Sequence, residues 1–176
     1  MEHCYKFYIK NNSKCSRAPV WKAFDRTKSS SEFFDSGAVT ADFGVMFTEK
    51  KNLSKYVFVG YTTVGVNGNL PSSWVLQGSH NTTDGVNGDW DLLDILSGHS
   101  WSGTLEKKPF TVNKVAEYKV FRFKDTKNKT SGTYIYVAEL ELLSLVIPAT
   151  NPYWSTVLID QLKEHDSIPM NKEEIK

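Results

Sequence analysis

Cysteine is nearly absent from this chain: its 176 residues hold two, Cys4 and Cys15. Two cannot form a disulfide framework. They either close one small loop in the N-terminal stretch or stay reduced, and such sparse usage favours free thiols. Long apolar runs are missing too. The longest, Leu140 to Ala149, is broken by Glu141, Ser144 and Pro148, short of the roughly 18–20 residues a membrane-spanning helix needs. Neither sign of charge dominates, with 21 Lys+Arg against 20 Asp+Glu and a net charge of +1. That balance argues against a protein whose main task is gripping a phosphate backbone. The stretch Met1–Lys6 carries no apolar signal-peptide core. Catalytic signatures are lacking as well. The four histidines, His3, His80, His99 and His165, show no HExxH spacing. There is no Gly-x-Ser-x-Gly elbow and no Gly-rich phosphate loop ending in Lys. Glu139 and Glu141 lie two apart on one strand face, where they solvate or bind metal more readily than they act as acid and base. An enzyme is not expected.

Aromatic residues are abundant. They make up 13% of the chain, with five Trp, and supply the apolar area for a single core at this length. From Ala38 to Leu143 short apolar runs recur between turns rich in Gly, Asn, Asp and Ser, the pattern of antiparallel β structure. The predicted strands are Ala38–Phe43, Tyr56–Tyr61, Trp74–Gln77, Trp90–Leu96, Pro109–Val112, Tyr118–Phe123 and Tyr134–Leu143. The phase slips at Val120-Phe121, which predicts a bulge there. In the last strand Tyr134, Tyr136, Ala138, Leu140 and Leu142 face one way, and Ile135, Val137, Glu139 and Glu141 the other. No stretch between strands has room for a crossover helix, so the expected architecture is all-β, a β-sandwich. After Pro148 the period changes. Asn151-Pro152 offers an N-cap and a first-turn proline, and Trp154, Val157, Leu158 and Leu162 recur at helical spacing. The expected organisation is a basic arm over 1–17, the sandwich over 18–147, and a helix with a tail over 148–176. Residues 1–28 hold seven Lys/Arg against two Asp/Glu, a local charge of +5. Asn-x-Ser/Thr sequons stand at Asn11, Asn52, Asn81 and Asn128.

The segment Pro71-Ser72-Ser73-Trp74-Val75-Leu76-Gln77-Gly78-Ser79, followed by Trp90-Asp91-Leu92-Leu93-Asp94, is the most specific feature. It resembles the signature of discoidin, or coagulation-factor C-type, domains: a Pro-x-x-Trp strand, a Gly-Ser turn, a loop, then Trp and Leu-Asp. Further elements follow in the family's order. Ala23-Phe24-Asp25 with Phe33-Phe34-Asp35-Ser36 resembles its opening segment, Tyr118–Phe123 its Tyr-Arg-x-x-Arg strand, and Val137–Leu142 its closing strand. The resemblance covers about residues 18–143 and implies the galactose-binding-like jelly roll with, here, an appended C-terminal helix. Departures are specific. The disulfide that usually ties the two ends of animal members is missing, the usual Asp-Gly of the opening turn is Asp25-Arg26, and the Gly-Ser turn expands into His80–Asp89.

The resemblance implies a structural calcium ion between the opening turn and the closing strand. Its ligands would be Asp25, Thr27, Ser30 and Glu139, supported by the carbonyls of Lys22 and Ala138. The alternative is an Asp25/Glu139 pair neutralised by Arg26, Lys22 or backbone donors. The Asp84–Asp89 loop is rich in oxygen ligands but lacks calcium-loop spacing, and reads as turn chemistry. Ligands in the family are met by the end of the sandwich away from the termini. Strand alternation collects Phe34, Tyr61, Asn67, Asn69, His99, Trp101, Lys127 and Asn128 there. Sugar recognition needs an aromatic face for C–H groups and a few aimed polar groups for hydroxyls. Trp101 beside His99 offers both, unless Trp101 plugs the sandwich and His99 is a solvated loop residue.

The expected function is a non-enzymatic carbohydrate-binding or adhesion module. Its expected setting is a bacteriophage virion, as tail fibre, baseplate or capsid decoration, present in many copies. The basic arm and the C-terminal helix would join it to other virion subunits, and a glycan on a cell surface would be its partner. The alternatives are an assembly protein using the fold only for protein contacts, or an extracellular module of a larger secreted protein.

Overall fold

A computed structural model describes residues 6–10, 20–26, 34–35, 39–60, 69–102, 105–129 and 134–144. Cys4, Cys15 and the expected helix after Pro152 lie outside the described residues. The elements run β1 (Lys6–Lys10), a 3-10 turn (Val20–Ala23), β2 (Phe34–Asp35), β3 (Thr40–Val59) and β4 (Pro71–Ser79). They continue as β5 (Asp91–Leu96), β6 (Lys107–Thr111), β7 (Glu117–Asn128), β8 (Tyr136–Val137) and β9 (Glu139–Ser144). Every pairing among them is antiparallel. The sheet order is β1-β3-β7-β4-β5, with β6 and β9 on either side of the second half of β3, and β2 pairs β8 separately.

The long strand β3 organises the fold. Sequence runs at Ala38–Phe43 and Tyr56–Tyr61 predicted separate strands; the chain instead stays extended through Thr40–Val59. Its first half pairs β1 and β7, and its second half pairs β6 and β9. The register against β7 slips between Met46 and Lys51, where the polar stretch Thr48–Lys50 is exposed and the strand can turn through solvent. The sheet thereby curls back on itself. Tyr56 and Phe58 from the second half of β3 meet Phe123 of β7 at 5.4 and 5.2 Å between ring centroids. Phe58 also meets Trp74 of β4 at 4.7 Å. These rings and Phe43 are essentially fully buried, each contributing about 1.5–3 kcal/mol of apolar burial. The polar atoms that enter this core are satisfied. Trp74 Nε1 donates to Tyr56 Oη at 2.9 Å, and Tyr56 Oη donates to Asp94 Oδ2 at 2.7 Å. Burial pushes the Tyr56 hydroxyl well above its ordinary pKa.

Local irregularities fall elsewhere than the residue pattern predicts. Gly78-Ser79 is not a turn: β4 runs straight through it. Glycine is required at 78 because a Cβ there would stand 2.5 Å from the Tyr118 ring. The register of β7 with β4 is unbroken from Lys124 to Val120, so no bulge forms at Val120-Phe121. The extra residue is Asp125, whose φ of 49° turns it left-handed. Its amide donates to Asp42 Oδ1 at 2.8 Å. In the closing segment the alternation breaks at Ala138 between β8 and β9. Ile135 and Val137 therefore join Leu140 in the core, whereas Tyr134 and Tyr136 stay half-buried.

Candidate functional site

Strand pairing gathers one set of loops at one end. Pro71 opens β4 opposite Asn128 of β7, Thr40 opens β3 opposite Lys127, and Leu96 closes β5 opposite Trp74. Phe34 pairs with Val137 through the β2–β8 ladder, and Asn128 Nδ2 donates to Tyr134 O at 3.0 Å. Phe34, Asn69, His99, Trp101, Lys127 and Asn128 therefore share this end. Tyr61 and Asn67 lie outside the described residues.

Trp101 is half-buried and held from several sides. Its Nε1 donates to Pro71 O at 2.7 Å. Its six-membered ring lies over Gly60, where a Cβ would approach to 2.8 Å. His99 stands edge-on to it at 5.4 Å, and Lys108 Nζ lies 5.8 Å from the ring centroid. His99 is not a solvated loop residue. It packs among Trp74, Trp101 and Phe110 at 6.2, 5.4 and 5.1 Å, and its amide donates to Ser72 O at 2.8 Å. Burial, reinforced by the Lys108 ammonium, lowers its pKa against the opposing pull of Glu106. Its Nε2, Asn69 Oδ1 and Thr126 Oγ1 are buried without a hydrogen-bond partner among the described residues.

Residue patterning missed two members of this end. Tyr134 and Tyr136 read as core positions, yet both remain half-exposed, with their rings stacked at 6.0 Å and 21°. The break at Ala138 rotates them outward, and a tyrosine pair directly after the polar stretch 128–133 was the available signal. One line of contacts joins the two aromatic groups. Trp101 bonds to Pro71, Pro71 pairs with Asn128, and Asn128 bonds to Tyr134.

The opposite end is closed by its own hydrogen bonds. Asp84 Oδ1 accepts the amides of Val86 and Asn87 at 2.8 Å each, which holds its carboxyl down at about 2. Asn81 Nδ2 donates to Asp89 Oδ2 at 2.7 Å. Arg122 lies 3.6 Å over the Trp90 ring and donates to Val86 O at 3.0 Å and Gln77 Oε1 at 2.8 Å. The carboxylates of this loop are spent on turn donors, which agrees with its reading as a turn.

The expected metal site is described in part. The turn Val20–Ala23 lies against β9, whose first residue, Glu139, is 1% exposed. Arg26 adopts φ 64°, the left-handed conformation that the glycine of the resembling turn would take without strain. Lys22, Asp25 and Glu139 all engage partners, Ala138 donates its amide to Val59 O at 3.0 Å, and Thr27 and Ser30 lie outside the described residues. Among the described residues no cluster of three or more His, Cys, Asp or Glu is arranged to hold a metal. An oxygen set of carboxylate and carbonyls fits a hard cation only.

No protein-family model matches the chain, and no curated protein matches its sequence. Solved structures do match. The family 32 carbohydrate-binding module of Streptococcus pneumoniae EndoD superposes with a TM-score of 0.62 at 15% identity, over 80% of this chain and 96% of that one. An F5/8 type C domain from Bacteroides fragilis gives 0.62 at 12% identity, over 83% and 97%. The family 32 module of Clostridium perfringens NanJ, in complex with galactose, gives 0.57 at 15%, over 78% and 92%. The fold is the galactose-binding-like β-sandwich. Discoidin-type and family 32 domains share it, as the Pro71–Ser79 and Trp90–Asp94 segments led one to expect.

Proposed function

We propose that this chain is a non-catalytic carbohydrate-binding module whose ligand surface is the end carrying Trp101, Asn69, Asn128, Tyr134 and Tyr136. The observation that carries this reading is that half-exposed aromatic rings share one end with buried polar atoms that lack partners among the described residues. Sugars present the same two chemistries, apolar C–H faces and hydroxyls. Trp101 supplies one platform and the Tyr134–Tyr136 stack a second, with Asn69 and His99 toward hydroxyls. The galactose held by the structurally similar NanJ module supports sugar as the ligand class. A glycan array tests it: the intact chain retains a subset of glycans, and retention of none overturns the reading.

One sugar face on an aromatic ring yields about 1–3 kcal/mol, so a single site is weak and display in many copies would make it useful. A virion offers such display, through subunit contacts of the N-terminal arm and the helix expected after Pro152; an extracellular protein with repeated modules is the alternative setting. A second reading, protein–protein assembly, draws on apolar side chains exposed along β5 and beside it, Leu92, Ile95 and Val115 at 49%, 58% and 46%.

The proposal includes calcium at the junction of the opening turn and β9. A carboxylate as buried as Glu139 is stable only when a cation or hydrogen-bond donors compensate it, and a calcium ion would do so here. Asp25, Thr27, Ser30 and Glu139, with the carbonyls of Lys22 and Ala138, would hold the ion, which would tie the opening turn to the closing strand. Chelation then lowers the melting temperature, and Asp25→Ala abolishes that sensitivity. An unchanged melting curve in chelator leaves the Asp25/Glu139 pair to Arg26, Lys22 or backbone donors instead.

A further inference from the structure

Glu106 fastens the loop that carries Trp101 on both sides of the ring. Glu106 Oε2 accepts the Ser102 amide at 2.6 Å, and Oε1 accepts Ser102 Oγ at 3.0 Å. Oε1 also lies 2.9 Å from Lys108 Nζ, which donates to Ser100 O at 3.0 Å. The residues on both sides of Trp101 are thus bound to one carboxylate, directly or through Lys108. The Glu106 carbonyl meanwhile accepts the Gly60 amide at 3.0 Å, and Gly60 is the surface on which the Trp101 ring rests. One residue holds both the loop and the floor beneath it.

The neighbouring backbone is strained accordingly. Leu105 has φ 51°, a left-handed conformation unfavourable for a branched side chain, which persists only where surrounding contacts over-determine it. The donors around Glu106, led by the Ser102 amide, hold its carboxyl down at about 2. The fastening is therefore charged, and in place, across the physiological range.

We propose that Glu106 is a positioning residue that preorganises the Trp101 platform for its sugar. This rests on the reading of that end as a carbohydrate site. A platform already fixed in its bound orientation loses little further freedom when ligand arrives. The side-chain bonds described for Glu106 go to Ser102 and Lys108, so its removal loosens the loop, and the amides of β4 and β7 report whether the sandwich stays folded.

The test uses the full chain, with Glu106→Gln and Glu106→Ala, and two measurements. Amide exchange of Ser102 reads the fastening, and binding to galactose-terminated oligosaccharides on an array, followed by titration, reads the platform. In Glu106→Ala the Ser102 amide exchanges at least tenfold faster while the amides of β4 and β7 are unaffected, and affinity falls about five- to twentyfold. Glu106→Gln, which keeps an acceptor but loses the charge that holds Lys108, lies between. In a Trp101→Phe background the further effect of Glu106→Ala shrinks below twofold, because the two residues act as one unit. Unchanged exchange at Ser102, or unchanged affinity once exchange has accelerated, overturns the positioning role. A wild-type chain that binds none of these sugars removes galactose-terminated glycans as the ligand of this end, and with them the role of Glu106 in that binding.

Discussion

His99 shows how one side chain can bind the stability of the fold to pH. An imidazole enclosed by Trp74, Trp101 and Phe110 pays a desolvation cost only when protonated, so its folded pKa lies below the ordinary value of 6.5. Once the pH drops below that ordinary value, the unfolded chain takes up a proton that the native state refuses, and linkage makes the native state less stable. Stability is thus complete above about pH 6.5 and declines as pH falls toward the depressed folded value. His99→Phe keeps the ring packing and removes the proton. Urea unfolding between pH 7.5 and 5 should show a shallower decline for His99→Phe than for wild type; parallel curves would mean that His99 does not titrate differently on folding. Gly78 illustrates the limit of reading single residues. A Gly-Ser pair before a polar loop has the composition of a turn, and only the Tyr118 ring, distant in sequence, makes glycine a packing requirement within a strand.

At the scale of elements, legibility followed the strength of local periodicity. Strand β4 alternates cleanly from Trp74 through Leu76, and its core positions follow directly from that pattern. The bend in β3 was not legible, because Thr48–Lys50 differs little in composition from a hairpin loop. The rotation of Tyr134 and Tyr136 was hidden for a related reason: one irregular residue, Ala138, inverts the facing of everything before it. The Tyr118–Phe123 strand was placed well, yet the role of Arg122 needs contacts from two other segments. Lying on Trp90 and bonded to Gln77 and Val86, it pins the Ser79–Asp89 loop to the sheet. Arg122→Ala should cost about 2–3 kcal/mol in chemical denaturation, from lost hydrogen bonds and lost cation–π contact. Arg122→Lys should recover little, since a point charge cannot stack and fork at once. Neither change should alter sugar affinity, because this loop lies at the far end. A loss of affinity equal to that of a Trp101 variant would contradict the proposed division of the molecule into a binding end and a sealed end.

That division is the property of the whole molecule that bears most on function. Both ends are built from loops rich in Asn, Asp, Gly and Ser, and composition alone does not separate them. Hydrogen-bond accounting does. Around Asp84 and Asn81 the acceptors are met by donors within the same loop. At the other end Asn69 Oδ1, His99 Nε2 and Thr126 Oγ1 stay buried without partners among the described residues, and the His99 ring meets that of Trp101, which is only half covered. Leaving such atoms unsatisfied costs about 1–3 kcal/mol each, a cost that a bound hydroxyl would relieve at the partly exposed Asn69 and His99 but not at the fully buried Thr126. The end assignment was available from strand alternation, but the asymmetry of satisfaction was not, because it depends on distances of a few tenths of an ångström. Trp101→Ala and a Tyr134→Ala, Tyr136→Ala double variant should each weaken glycan retention at least tenfold on an array, with melting temperatures within about 5 °C of wild type, while Asp84→Ala and Asn81→Ala should leave retention intact. Trp101 also caps the core over Gly60, so its variant carries the greater risk to the fold. The tyrosine pair stands off the core, and its loss without effect on binding would move the ligand surface away from β8. Full retention in both sets would shift the balance to the exposed Leu92 and Ile95 of β5, and to assembly with protein partners.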